Sequence, residues 1–267
     1  MIPTLLGVPF DGASSFQRGA ALGPGAIRKA LRSDSSNSWT EDGVDITAPG
    51  VLADAGDLAF PAAADWTTIV DEGVGRVLEG GGAPLILGGD HAITFPAARA
   101  AARRFGPLQI VHFDAHGDLY DSYDGDRLSH ACPFARIMES GLAARLVQIG
   151  IRTLNAHQRD QIRRFGVETH EMRNWTGPFP LRFDGPVYLT LDLDVLEPAF
   201  APGISHPEPG GLTVRDVVTM IQRLEGHLVA ADLVEYNPLN DPSPRTGLVA
   251  AKFVKELIAA FRRTGVG

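Results

Sequence analysis

The feature that most constrains this 267-residue chain is a set of apolar runs that do not alternate. They are 84-PLILGG, 108-LQIVHF, 145-RLVQIGI, 186-PVYLTLDLDV and 227-HLVAADLVE. A strand with one wet face alternates apolar and polar residues. A continuous β-branched run reads as a strand covered on both faces. Helical patterns lie between the runs, over 65–81, 94–106, 213–226 and 246–263. Gly80-Gly81 and Gly106 supply stops, and Thr213 is an N-cap candidate. The opening MIPTLLGVPFDG reads as a first strand and turn, and 33–43 as a polar surface loop. Strand alternating with helix gives an α/β fold of three layers, a parallel sheet with helices on both faces. Ligands of such sheets bind beyond the carboxyl ends of the strands.

Four runs end in chemistry at that edge. The first is followed by Gly88, Gly89, Asp90 and His91, and the second by Asp114, His116 and Asp118. The fourth carries Asp192 and Asp194, and the fifth ends in Glu235. Carboxylates driven together beneath a sheet edge repel and cost desolvation energy, so positive charge must compensate them. A lone DxD or a lone His after Gly-Gly is an ordinary loop feature. Three such motifs at strand ends, with no Arg or Lys inside them, favour metal over a buried base. Two imidazoles and four carboxylates without a thiolate suit Mn²⁺, or Fe²⁺, Co²⁺ or Ni²⁺, better than a thiolate-bound structural zinc. Four acids exceed the need of one divalent ion and suit two. In extended backbone, residues two apart share a face, so Asp114, His116 and Asp118 are expected to point one way, as are Asp192 and Asp194.

Composition bounds the partners. Lys and Arg number 24 against 32 Asp and Glu, a net charge of −8, which argues against nucleic acid or an anionic membrane surface. The single Cys132 excludes an internal disulfide and a multi-cysteine metal site. The N-terminus lacks a basic stretch ahead of its apolar run, and no apolar stretch approaches the ~18 residues of a spanning helix. The expectation is a cytoplasmic protein.

With these residues assembled, the sequence resembles the ureohydrolase family of arginases and agmatinases. The matching motifs are 88-GGDHAIT, 113-FDAHGD, 129-SHACPFARI, 190-TLDLDVLEPAFAPG and 232-DLVEYNP, with 6-LGVPFDGASSFQRGAALGPGAIRKAL at the start. The appearance is that of the branch with plant arginases and many bacterial agmatinases. The resemblance implies one arginase-like domain over residues 1–267, assembly into trimers or hexamers, and two Mn²⁺ ions. It implies His91, Asp114, Asp118 and Asp192 as ligands of one ion, and Asp114, His116, Asp192 and Asp194 as ligands of the other. It places His130 as the proton-shuttling histidine and Glu235 as the acid that pairs with a substrate guanidinium. Asp118 is also a candidate to take a proton from the nucleophile.

Plainer roles compete. His130 could be a turn histidine and Glu235 a salt-bridge partner. Asp90 reads as support for the His91 loop, His112 as a core histidine beside the site, and Cys132 as a small buried filler. His206 and Glu208 are placed at the mouth. For the far end of the substrate, the loop 120-YDSYDGDRLS offers Asp121, Asp124 and Asp126 against Arg127. An acidic loop favours a distal ammonium, so agmatine is expected ahead of arginine, with guanidinobutyrate third. A plant-arginase-like sequence is expected to have an amide near Asp126. The different-class alternatives are a deacetylase on the same fold, which uses one metal site, and a metal-stabilised protein without activity.

Overall fold

The computed structural model describes residues 1–265. Eight parallel strands form one sheet in the order β2-β1-β3-β8-β7-β4-β5-β6. They are β1 (Ile2–Gly7), β2 (Ala53–Asp57), β3 (Gly82–Leu87), β4 (Leu108–Phe113), β5 (Ala143–Ile151), β6 (Glu168–Glu171), β7 (Leu181–Asp192) and β8 (Leu224–Val234). Among the described residues, seven α-helices cover it: α1 (Gly23–Leu31), α2 (Trp66–Glu79), α3 (Thr94–Phe105), α4 (Pro133–Glu139), α5 (Ala156–Phe165), α6 (Val214–Gln222) and α7 (Arg245–Thr264).

Period-two alternation sorts the inner strands between two cores. Val111 and Phe113 of β4 join one that includes Ile27, Val217 and Phe253, from α1, α6 and α7. Leu108 and Ile110 join the other, with Val74, Ala97 and Phe134 from α2, α3 and α4. The non-alternating runs are thus explained, since both faces are covered.

The expected elements are present with shifted ends. Asp65 caps α2, its side chain accepting from the Thr67 N–H, and Thr213 caps α6 in a reciprocal box with Asp216. The helix expected over 213–226 stops at Gln222, because Arg223 folds its N–H back on helix carbonyls and Leu224 already pairs with Leu181 in the sheet. The edge strands β2 and β6 and the helices α1, α4 and α5 had no apolar run to announce them. All five β2 residues are exposed. Among the described residues, no helix is long and apolar enough to cross a membrane.

The order places β3, β8, β7 and β4 side by side at the centre of the sheet. These four strands end in the chemistry-bearing residues, although the chain visits them at 82, 224, 181 and 108. The turn after β3 is tight. A Cβ on Gly89 would lie 1.7 Å from the Phe10 carbonyl oxygen, which accepts the Asp90 N–H at 2.9 Å. Gly89→Ala is expected to cost about 1–3 kcal/mol in denaturant unfolding and to weaken divalent-ion binding in a titration. Unchanged stability and binding would show that this approach does not hold the His91 loop.

Candidate metal centre and guanidinium site

The centre is built around His91, fully buried in the 3₁₀ turn between β3 and α3. Its Nε2 meets Thr190 Oγ1 at 2.9 Å. Its Nδ1 faces three carboxylate oxygens: Asp114 Oδ2 at 3.0 Å, Asp118 Oδ2 at 3.1 Å and Asp192 Oδ2 at 3.2 Å. A proton on Nδ1 can point at one oxygen, whereas a cation placed among them serves all. An octahedral ion with bonds of ~2.1 Å spaces neighbouring ligand atoms by ~3.0 Å, so the geometry fits a divalent ion. Among the described residues, Asp114, Asp118, Asp192 and Asp194 form no ion pair with Lys or Arg; their charged-side-chain contacts are imidazoles. Arg152 comes near but spends its guanidinium on backbone carbonyls, including those of Asp194 and Glu208.

A second group adjoins the first. His116 Nδ1 lies 2.9 Å from Asp194 Oδ2 and 3.4 Å from Asp114 Oδ1. The outer oxygens are anchored by backbone: Asp194 Oδ1 accepts from Ala115 N at 3.0 Å, and Asp192 Oδ1 accepts from Asp194 N at 2.8 Å. The expected extended geometry does not hold, although the same residues converge. Residues 193–195 form a 3₁₀ turn that Asp192 caps, and Asp118 sits at φ 47. Loop curvature, not strand alternation, aims these groups.

The electrostatics follow from crowding. Burial and the charges of Asp194 and Asp114 push Asp192 well above the usual carboxylate range; burial and Asp114 push Asp194 up to about 6. Burial opposes charge on His116, yet Asp194 and Asp114 push it up to about 12. The cluster attracts positive charge strongly enough to recruit protons. Behind it, the Gln148 amide donates to His112 Nδ1 at 3.0 Å, leaving Nε2–H to donate to Asp114 Oδ2 at 2.7 Å. Burial keeps His112 below its ordinary pKa, the neutral supporting role expected of it. Asp90 accepts from Ala13 N at 2.9 Å and Ala92 N at 3.1 Å, tying the first loop to the His91 turn.

The guanidinium candidate lies beside this cluster. Glu235 follows β8 at φ 62, a conformation that bulky residues rarely adopt without constraint. Its Oε1 accepts from His91 N at 2.9 Å and from His130 Nδ1 at 3.0 Å. Its Oε2 is buried without a hydrogen-bond partner. His130 reaches Ser15 Oγ through Nε2 at 2.8 Å, and Ser15 lies 3.4 Å from His206 Nε2. Burial works against a charged His130, but Glu235 wins and pushes it up to about 9.

A cavity of about 170 Å³ opens over these groups, and His116, Asp118, His130, Asp192, Asp194 and Glu235 are among its lining residues. Tyr120, Tyr123, Thr153, Gln158, Ser15 and His206 line the rest. Ser15 was missed in the sequence because its loop, polar and distant along the chain, carries no metal-ligand spacing. A larger groove of about 560 Å³ lies between the β1–β2 edge and α2, away from this chemistry.

The loop lends Tyr120 and Tyr123 to the cavity, but its acids Asp121, Asp124 and Asp126 do not line it. Asp121 turns to Gln161, 2.9 Å away, and to Arg164 and Arg136. Asp126 accepts the Leu128 N–H at 2.7 Å. Asp124 is exposed at φ 49 on the Tyr123–Asp126 turn. Their placement beside a metal motif suggested convergence. Arg136, Arg164 and Gln161 draw Asp121 outward instead.

Parallel sheet, strand-end cluster and buried unpaired glutamate together define a metal-hydrolase type of site. The arginase family model matches residues 3–260, and the chain belongs to that family of ureohydrolases. It is 45% identical to a mitochondrial arginase of Medicago truncatula, over 96% of this chain and 81% of that protein. It is 31% identical to an agmatinase of Bacillus anthracis, over 95% of this chain and 90% of that one. The solved structure of an arginase from Medicago truncatula superposes with a TM-score of 0.91 at 42% identity, covering 97% of this chain and 87% of that one. The expectation of a cytoplasmic location is corrected by these comparisons. The arginases of Medicago truncatula and Arabidopsis thaliana that it resembles are named mitochondrial or chloroplastic/mitochondrial, not cytoplasmic. An apolar start without basic residues could not decide this.

The His130–Glu235 pair yields a titration test. Its folded pKa is raised, so the pair's contribution to stability is present below the ordinary ~6.5 and is lost as pH rises through about 9. In NMR of metal-free protein, Glu235→Gln is expected to move the His130 titration from near 9 back toward ~6.5. An unmoved titration would assign the shift to something other than Glu235.

Proposed function

We propose that the chain hydrolyses L-arginine to ornithine and urea, with two Mn²⁺ ions, as one catalytic domain built on its single sheet. The observation that carries the guanidine-hydrolase reading is Glu235 Oε2, a buried carboxylate oxygen without a partner beside the His91 cluster. His91, Asp114, Asp118 and Asp192 would hold one ion, and Asp114, His116, Asp192 and Asp194 the other, with Asp114 and Asp192 shared. Oxygen-rich ligands with two imidazoles suit Mn²⁺. When bound, the ion pair supplies a strong nucleophile from water near neutral pH.

A guanidinium resists attack, because its charge is delocalised and it must expel an amine. Glu235 Oε2 accepts N–H bonds from that planar cation and turns its central carbon toward the carboxylate cluster. Asp118, on the cavity wall, takes a proton or hydrogen bond from the nucleophile. His130 has Nδ1 held by Glu235, so its other nitrogen is free to exchange Ser15 for the substrate. Its raised pKa keeps it protonated, ready to give a proton to the departing amine.

Two observations support arginine over agmatine, reversing the preference drawn from the loop. None of the acids of that loop is among the cavity-lining residues, which include the hydroxyls of Tyr120 and Tyr123 and the amide of Gln158. Such groups can donate to an α-carboxylate. The relatives named arginase are also the more similar, at 45% against 31% for the agmatinase. Agmatine remains the second reading because Asp124, on the loop that lends Tyr120 and Tyr123 to the cavity, is exposed and the chain is acidic overall.

Urea release from arginine, agmatine and guanidinobutyrate, measured with Mn²⁺, tests this. Arginine should turn over fastest. Faster agmatine would overturn the substrate choice, and no urea from any of the three would sink the guanidine-hydrolase reading. His130→Asn is expected to lose roughly 10²–10⁴-fold in kcat while elemental analysis still finds both ions. A lost ion would instead make His130 part of the metal shell.

A further inference from the structure

Two of the residues that line the cavity, Tyr120 and Gln158, are organised by one that does not. Asn155, the N-cap of α5, bonds to both. Its Oδ1 accepts the Gln158 backbone N–H at 2.9 Å, and its own backbone N–H donates to Gln158 Oε1 at 3.2 Å. Its Nδ2 donates to Tyr120 Oη at 2.7 Å. The Tyr120 ring is further held by stacking on His157, with centroids 5.7 Å apart and planes 12° from parallel.

Each of these bonds has one possible direction. A backbone N–H only donates, so Asn155 must present Oδ1 to the Gln158 N–H, and its amide nitrogen faces Tyr120. The phenol oxygen therefore accepts, and its own proton is left for another partner. The Asn155 N–H claims Gln158 Oε1 in the same way, which turns the Gln158 amide nitrogen elsewhere. That nitrogen forms no hydrogen bond with the protein among the described residues, although Gln158 is only 3% exposed. It lies beside the turn that carries His116 and Asp118, since a Cβ on Gly117 would be 3.6 Å from it. A buried amide without a partner is costly, so a ligand that accepts from it gains. Gln158 also sits in the first turn of α5, where the backbone favours negative charge. Tyr123 and Thr153, also on the cavity wall, carry hydroxyls that can serve either polarity.

We propose that Asn155 is a positioning residue that fixes the Tyr120–Gln158 stretch of the wall as donor-only, and that this polarity selects a guanidine with a carboxylate at its other end over one with an ammonium there. The polarity stands on the hydrogen bonds alone, whereas its use rests on the guanidine-hydrolase reading given above. A carboxylate accepts from both free donors. An ammonium brings three more donors to groups whose acceptors Asn155 already engages, and leaves N–H and O–H groups unpaired on both sides.

Asn155→Asp tests this in full-length protein with Mn²⁺. Asp caps a helix as well as Asn does, so α5 keeps its start, and one nitrogen becomes an oxygen. The Tyr120 O–H then donates to that oxygen and is withdrawn from the cavity. The ratio of kcat/KM for arginine to that for agmatine should fall roughly 10–100-fold, mostly through KM. Guanidinobutyrate, which has the carboxylate but no amine, should fall with arginine. Tyr120→Phe, which adds no charge, should lower the same ratio about tenfold. A ratio that stays put in both variants, or arginine and agmatine weakened alike, would overturn the proposal. Calorimetric Kd values for the three compounds separate the two readings. If no urea is released but the Kd ratio shifts as stated, the hydrolase reading fails and this one stands. If urea is released and neither ratio moves, this inference alone fails, and if none of the three compounds binds, both fail.

Discussion

Three carboxylate oxygens converge on one imidazole nitrogen, His91 Nδ1, at 3.0–3.2 Å. No arrangement of neutral hydrogen bonds satisfies that meeting. It needs positive charge at its centre, and much of the structure can be read as what brings the meeting about. The sheet places β3, β8, β7 and β4 together so that residues over 140 positions apart share one edge. The tight Gly89 turn, the Asp192 cap and the left-handed residues Asp118 and Glu235 bend the strand ends inward. Local strain at such positions persists only where surrounding structure over-determines it. Here that structure includes the backbone bonds from Glu235 N to Gly89 O and from Asp114 N to Ile149 O.

The same charge logic orders the outer layers. Burial holds His112 below its ordinary pKa, and the Gln148 amide, which also donates to the Gly117 carbonyl at 2.7 Å, aims it at Asp114. The Arg152 guanidinium is bound to backbone carbonyls, including that of Asp194, and makes no ion pair with the Asp194 carboxylate. Glu235 joins inner and outer regions, accepting from His91 N and His130 with one oxygen and holding the other unpaired. Glu235 thus ties the loop after β8 to the His91 turn after β3 and to the segment that carries His130.

Much of this was legible in the sequence because apolar runs mark buried strands and the motif residues follow them directly. His91, Asp114, His116, Asp118, Asp192, Asp194, His130 and Glu235 do gather at one sheet edge. Their geometry was less legible. Period-two reasoning treats DxD as extended, whereas Asp192 and Asp194 are related by a 3₁₀ turn. Edge strands β2 and β6 escaped because exposed strands need no apolar run. Asp121 and Asp126 were misplaced for a related reason. The sequence shows charge near the site, but their partners, Arg164 and Gln161 for one and the Leu128 N–H for the other, are set by folding. Ser15 lies in the opening segment that carries the family resemblance, but no spacing singled it out until the first loop was seen to lie against His130.

The central claim is that the carboxylate cluster exists to hold two cations. Anomalous diffraction at the manganese edge, from crystals of Mn²⁺-loaded protein, tests it most directly. The account predicts two peaks, one among His91, Asp114, Asp118 and Asp192 and one among Asp114, His116, Asp192 and Asp194, with Asp114 and Asp192 touching both. A single peak, or a cluster that keeps its shape with only protons or water between the carboxylates, would contradict it.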